Sequence, residues 1–106
     1  MSDVINFAVP SGDGKTRPKF QFDYGQRLLI VGLDGDYTVE FCNEGDEQTE
    51  EVYPNSDGVR IPDRFFQSGR NIVGYIVEAT ERSRNTVYSF TIPIEKRASI
   101  KREANT

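Results

Sequence analysis

The sequence predicts an all-β protein: a single immunoglobulin-like β-sandwich of seven to eight short antiparallel strands, with one short helical turn near residues 62–68. Apolar and polar residues alternate over short runs, as half-buried strands require. Clusters of Gly, Pro, Asn, Asp and Ser punctuate those runs. At 106 residues the chain suits one domain with one two-layer core.

Residues 4–9 set Ile5, Phe7 and Val9 on one face, and Pro10 with Ser11-Gly12-Asp13-Gly14 stops the run. Lys19 to Tyr24 alternates again, with Phe20, Phe22 and Tyr24 pointing one way. Arg27 to Val31 is apolar on both faces, the pattern of a central strand. Asp34-Gly35 between two apolar runs signals a hairpin, whose return strand, Tyr37 to Cys42, turns Tyr37, Val39 and Phe41 inward.

An acidic loop over 43–50 leads to a short strand near Glu51–Tyr53 and a turn at Pro54-Asn55-Ser56-Asp57-Gly58. Val59 and Ile61 form a brief strand. Pro62 then opens a helical turn, Asp63 suits its positive end, and Gly69 closes it. Phe65 and Phe66 on that turn are read as a core plug. Ile72 to Thr80 is the longest strand, and Gly74 within it marks a bulge or a close backbone approach. After a polar loop at 81–85, Thr86 to Ile94 turns Tyr88, Phe90, Ile92 and Ile94 inward, with Pro93 at an edge or at the strand's end. The sandwich domain is placed at 1–97, followed by a short polar tail at 98–106.

Composition narrows the chemistry. The net charge is −4, and Glu44, Asp46, Glu47, Glu50 and Glu51 concentrate the excess in one segment that reads as a solvated loop. A globally acidic chain repels phosphate backbones, so nucleic acid is not expected as a partner. No histidine and one cysteine exclude Ser-His-Asp and Cys-His nucleophile pairs, His-containing zinc sites and an intrachain disulfide. Gly14-Lys15-Thr16 mimics the end of a phosphate-binding loop, but Val9 stands where that motif needs its first glycine and Arg17-Pro18 follows where it needs a helix. Asp34 and Asp36 fall short of a calcium loop. No cofactor or metal is expected. No apolar run is long enough to span a membrane as a helix, and the first residues lack the features of a signal peptide, so synthesis in the cytoplasm is expected.

Several stretches together carry a resemblance: Phe22-Asp23-Tyr24-Gly25-Gln26, Gly32-Leu33, Tyr37-Thr38-Val39-Glu40-Phe41-Cys42-Asn43, Gly58-Val59-Arg60-Ile61-Pro62-Asp63, Gln67-Ser68-Gly69, Thr86-Val87-Tyr88 and Ile92-Pro93-Ile94. Over about residues 18–97 the chain resembles a family of small β-rich structural proteins of tailed bacteriophages and prophages of gut Gram-positive bacteria. Some members resemble the attachment domain of baseplate upper proteins. The resemblance implies a non-enzymatic virion protein, a capsid decoration or a tail or neck surface component, acting through contacts with phage capsid or tail proteins and possible self-association.

Candidate partner-binding residues are Arg97, Lys101 and Arg102 in the basic C-terminal run, facing an acidic virion surface, and Tyr53. Tyr53 also serves an alternative reading, a carbohydrate-binding adhesion module whose exposed aromatic ring stacks on a glycan. A small phage-encoded inhibitor of a host protein is a further alternative. A carboxylate-pair glycosidase would need two acids fixed about 5–9 Å apart in a cleft, and the clustered acids lie in a loop.

Overall fold

The alternating runs become nine strands among the residues described by the computed structural model, which are 4–8, 14–33 and 36–98. They are β1 (Val4–Ala8), β2 (Lys19–Phe20), β3 (Arg27–Val31), β4 (Thr38–Asn43), β5 (Glu50–Val52), β6 (Val59–Arg60), β7 (Ile72–Ala79), β8 (Arg84–Ile92) and β9 (Ile94–Glu95). A 3₁₀ turn, Asp63–Phe66, connects β6 to β7. The fold is all-β. A four-stranded antiparallel sheet runs β5-β4-β7-β8, a three-stranded sheet runs β1-β3-β6, and β2 pairs with β9.

Period-two alternation sends one side of each larger sheet into a shared core. Ile5, Phe7, Leu28 and Val59 enter from one sheet; Val39, Phe41, Ile72, Ile76, Phe90 and Ile92 enter from the other. Phe65 and Phe66 of the 3₁₀ turn are buried among them, as the plug reading anticipates. Phe90 links the sheets: its ring centroid lies 4.9 Å from that of Phe7 and 6.3 Å from that of Phe41. Such pairs contribute about 0.5–1.5 kcal/mol each beyond the area they bury.

Gly74 stands directly opposite Phe90 on β8, and the ring lies over the glycine where a side chain would be. That is the close approach its position in the sequence anticipates. The β7–β8 register then shifts. Ile76 faces Tyr88 but Val77 faces Thr86, so Val87 is an extra residue on β8.

A buried amide fixes the other end of β4. Asn43 Nδ2 donates to the carbonyls of Phe65 (2.8 Å) and Arg70 (3.2 Å), tying the strand to the 3₁₀ turn and to the approach to β7. Asp46 accepts from the Asn43 N–H at 3.0 Å and pairs with Arg70 at 3.0 Å, so this member of the acidic loop is structural. Donation by the Asn43 amide, assisted by Arg70, holds the Asp46 carboxyl below its usual range.

Four expectations are corrected. The strands are not uniformly antiparallel, because β1 runs parallel to β3 and β2 parallel to β9. Asp34-Gly35 lies outside the described residues, and the strands it was expected to join do not pair: β3 lies between β1 and β6, whereas β4 lies between β5 and β7. A turn dipeptide biases only local reversal, and the partner is decided by what each pairing buries. β3 is covered on one face only, with Leu29 and Val31 exposed on the other. Finally, Phe20, Phe22 and Tyr24 do not share one face of a strand. The Asp23 carboxylate accepts from the Phe20 N–H at 3.1 Å, and the Asp23 N–H donates to the Phe20 carbonyl at 3.2 Å. That side-chain turn ends β2 after two residues and brings Phe22 to a φ of 72°.

Candidate functional site

Two surface features gather the residues with binding chemistry. The first grows from the register of the four-stranded sheet. Val39 and Phe41 point into the core, so Thr38 and Glu40 face outward, and Glu40 stands opposite Glu51 of β5. Two like charges in register repel. Arg84, at the start of β8, resolves that repulsion by bridging them: its Nη2 pairs with Glu40 and, at 2.7 Å, with Glu51. The bulge delivers Arg84 there, since the extra Val87 puts Arg84 rather than Asn85 opposite the outward Ala79.

Side-chain hydroxyls complete the cluster. Thr38 donates to Glu51 at 3.0 Å and Thr49 donates to Glu40 at 2.7 Å. The Arg84 guanidinium holds the Glu51 carboxyl below its usual range, helped by the hydroxyls of Tyr53 and Thr38. The same contact raises the Tyr53 phenol, because its hydroxyl bonds a carboxylate. Around these residues lies a cleft of about 370 Å³, walled by Tyr37, Thr38, Glu51, Tyr53, Ala79 and Arg84. Glu51 stays ionised at neutral pH, which suits hydrogen-bond acceptance and is the opposite of what a general acid needs.

The second feature is the corner formed by residues 20–24. Phe20 is 49% exposed, Phe22 36% and Tyr24 77%. Hydrogen bonds hold the loop from several sides. The Phe22 N–H donates to the Phe66 carbonyl at 3.0 Å, the Gly25 N–H to Asp63 at 2.9 Å, and Gln21 Nε2 to the Gln67 carbonyl at 2.7 Å. A phenylalanine in the left-handed region costs about 1–2 kcal/mol, so the surrounding contacts maintain Phe22 there against its own preference.

Tyr53 therefore falls in the cleft and is 70% exposed. Arg97 falls at the aromatic corner: its N–H donates to Gln21 Oε1 at 3.2 Å, and β9 before it pairs with β2. The structure does not bring Tyr53 and Arg97 into one site. Lys101 and Arg102 lie outside the described residues. Sequence reasoning missed Arg84, Glu40 and Glu51 as a unit, and no local pattern marks them, because they are separated by up to 44 residues. It also set Phe20, Phe22 and Tyr24 on one face of a strand, although Asp23 between them carries a turn signal. Among the described residues, no group of three or more Cys, Asp or Glu side chains is placed to hold a metal ion. The lone thiol, Cys42, is buried, and burial raises its pKa, the reverse of an activated nucleophile.

Comparison with protein-family models gives no match for this chain, and comparison with curated proteins gives none either.

Proposed function

We propose that this protein is a non-enzymatic structural component of a tailed-bacteriophage virion, a capsid decoration or a tail or neck surface protein, with an immunoglobulin-like sandwich as its scaffold. The observation that carries the reading is the aromatic corner. Phe20, Phe22 and Tyr24 are exposed on a loop that hydrogen bonds make rigid, so docking onto a partner buries apolar area without first ordering the loop. Aromatic anchors of this kind dominate protein–protein binding energy. Lys19, Lys96 and Arg97 border the corner, which suits an acidic surface on a capsid or tail protein. The resemblance set out above supplies the virion context. Glu51 is locked to Arg84, which favours binding over acid–base chemistry.

The protein should be found in purified particles by quantitative mass spectrometry. Copies on the order of hundreds would indicate a shell or tube lattice, and one or two rings' worth a neck or baseplate. A Phe20→Ser/Tyr24→Ser double variant, changed only at exposed positions, should fold normally and lose at least tenfold in particle occupancy. Absence of the parent protein from the particle would overturn the reading.

A further inference from the structure

We propose that the Arg84 cleft is a binding site for a neutral hexopyranoside, the terminal ring of a surface glycan. This goes beyond assembly into a particle, since it gives the four-stranded sheet a ligand of its own.

The first ground is size and place. A cleft of about 370 Å³ on the outer face of a sheet lies at the small end of the ligand-pocket range, about 300–1,000 Å³. The second is Tyr53. Its ring is 70% exposed and lines the cleft together with Glu51. A pyranose has an apolar C–H face that packs flat on an aromatic ring. Tyr37, which borders the same cleft and packs against the core, gives a second aromatic wall.

The third ground is the polar lining. Carboxylates accept hydrogen bonds at several lone-pair positions, and a guanidinium carries five donors in a planar fork. Asp36, Glu51 and Arg84 thus offer both halves of the hydrogen bonding that sugar hydroxyls need, within one small cleft. Thr38 adds a hydroxyl already oriented by Glu51.

The fourth is charge. An anionic ligand would meet Asp36 and Glu51 and compete with carboxylates for Arg84. A cationic ligand would approach a bound guanidinium and compete with it for Glu40 and Glu51. Both charged classes must disrupt the ion pairs that shape the cleft. A neutral polyol with one apolar face need not.

The test uses the full chain on a printed array of neutral glycans ending in glucose, galactose, mannose or N-acetylglucosamine, with sialylated and free-amino sugars alongside. The strongest class is then titrated in solution. At least one neutral class should bind, and Tyr53→Ala should weaken that binding at least tenfold. Tyr53→Phe, which keeps the ring and loses the hydroxyl, should fall between the two. Tyr53 is exposed enough for both variants to fold, which unchanged melting temperatures would establish. No neutral glycan bound at millimolar concentration, binding confined to charged sugars, or affinity untouched by Tyr53→Ala would each overturn the site. Phe20→Ser/Tyr24→Ser should leave glycan binding intact, and Tyr53→Ala should leave particle occupancy intact. The two readings therefore fail separately.

Discussion

Replacing Gly74 by alanine adds one methyl group to β7 at the point where Phe90 covers it. The new Cβ would lie 2.2 Å from Cζ of the Phe90 ring and 2.6 Å from each Cε. Ordinary carbon–carbon contact is about 3.5–4.0 Å, so the ring must retreat by more than about 1 Å. Behind it stand Phe7 and Phe41, both buried and in ring contact with Phe90. Overpacking of a filled core costs about 1–3 kcal/mol, and disturbing two aromatic pairs adds about 0.5–1.5 kcal/mol for each one lost. Removing a flexible glycine from a strand returns about 0.5–1 kcal/mol. The expected net loss is about 2–4 kcal/mol. For a domain near 100 residues this lowers the melting temperature by about 10 °C or more.

Urea and thermal denaturation of Gly74→Ala, Phe90→Leu and the double variant would measure it. The branched but smaller leucine vacates the space that the new methyl group needs. The double variant should therefore be less destabilised than the two single changes added together, by at least about 1 kcal/mol. A Gly74→Ala protein within about 0.5 kcal/mol of the parent, a typical additivity error, would refute the reasoning. So would strict additivity.

Other perturbations follow from the same contacts. Glu51 has a lowered folded-state pKa, so its stabilisation is fully present above the ordinary glutamate value, about 4.3, and is lost as pH falls through the lower folded value. Arg84→Met should flatten the acid side of the stability profile below the ordinary glutamate value, measured by melting temperature against pH; an unchanged slope would count against the bridge. Asn43→Ala leaves the carbonyls of Phe65 and Arg70 without their donor and should cost about 1–3 kcal/mol in urea denaturation. Asn43→Asp, an acceptor facing two acceptors, should be worse at neutral pH and should recover as its carboxyl protonates. Gly58→Ala should cost more than Gly25→Ala. Both positions have positive φ, but a Cβ at Gly58 lies 2.6 Å from the Leu28 carbonyl oxygen, whereas none lies within 4 Å at Gly25; equal melting-temperature losses would remove that distinction.

The parts of the fold that were legible in the sequence are those with local causes. Alternation placed Ile5 and Phe7, Val39 and Phe41, and Phe90, Ile92 and Ile94 on the core side, where they are buried. Pro54 to Gly58 does turn, closed by paired hydrogen bonds between Asn55 and Gly58. What could not be read is which strand lies beside which. β1 meets β3 and β2 meets β9 across long stretches of chain, and those choices depend on the volume each pairing fills. The cleft has the same origin. Glu40 and Glu51 lie on consecutive strands, but Arg84 reaches them from β8, 33 residues beyond Glu51, so the meeting of the three has no short-range sequence signature. The aromatic corner is different: Asp23 carries a turn signal, and the apolar alternation of Phe20, Phe22 and Tyr24 masks it.

Val87 gives the chain a frame as well as a sequence. If β8 instead paired in phase with β7 through that residue, Val87 would face Val77, and Asn85 would take the place of Arg84 opposite Ala79 on the outer face. Glu40 and Glu51 would then confront each other without their shared counter-ion, while Gly74 and Phe90, on the other side of the shift, would keep their register. The bulge thus sets the surface chemistry of this face independently of the core beneath it. Deleting Val87 itself would remove the extra residue and leave Arg84 opposite Ala79, so the register of β8, rather than its length, selects the side chain that Glu40 and Glu51 receive.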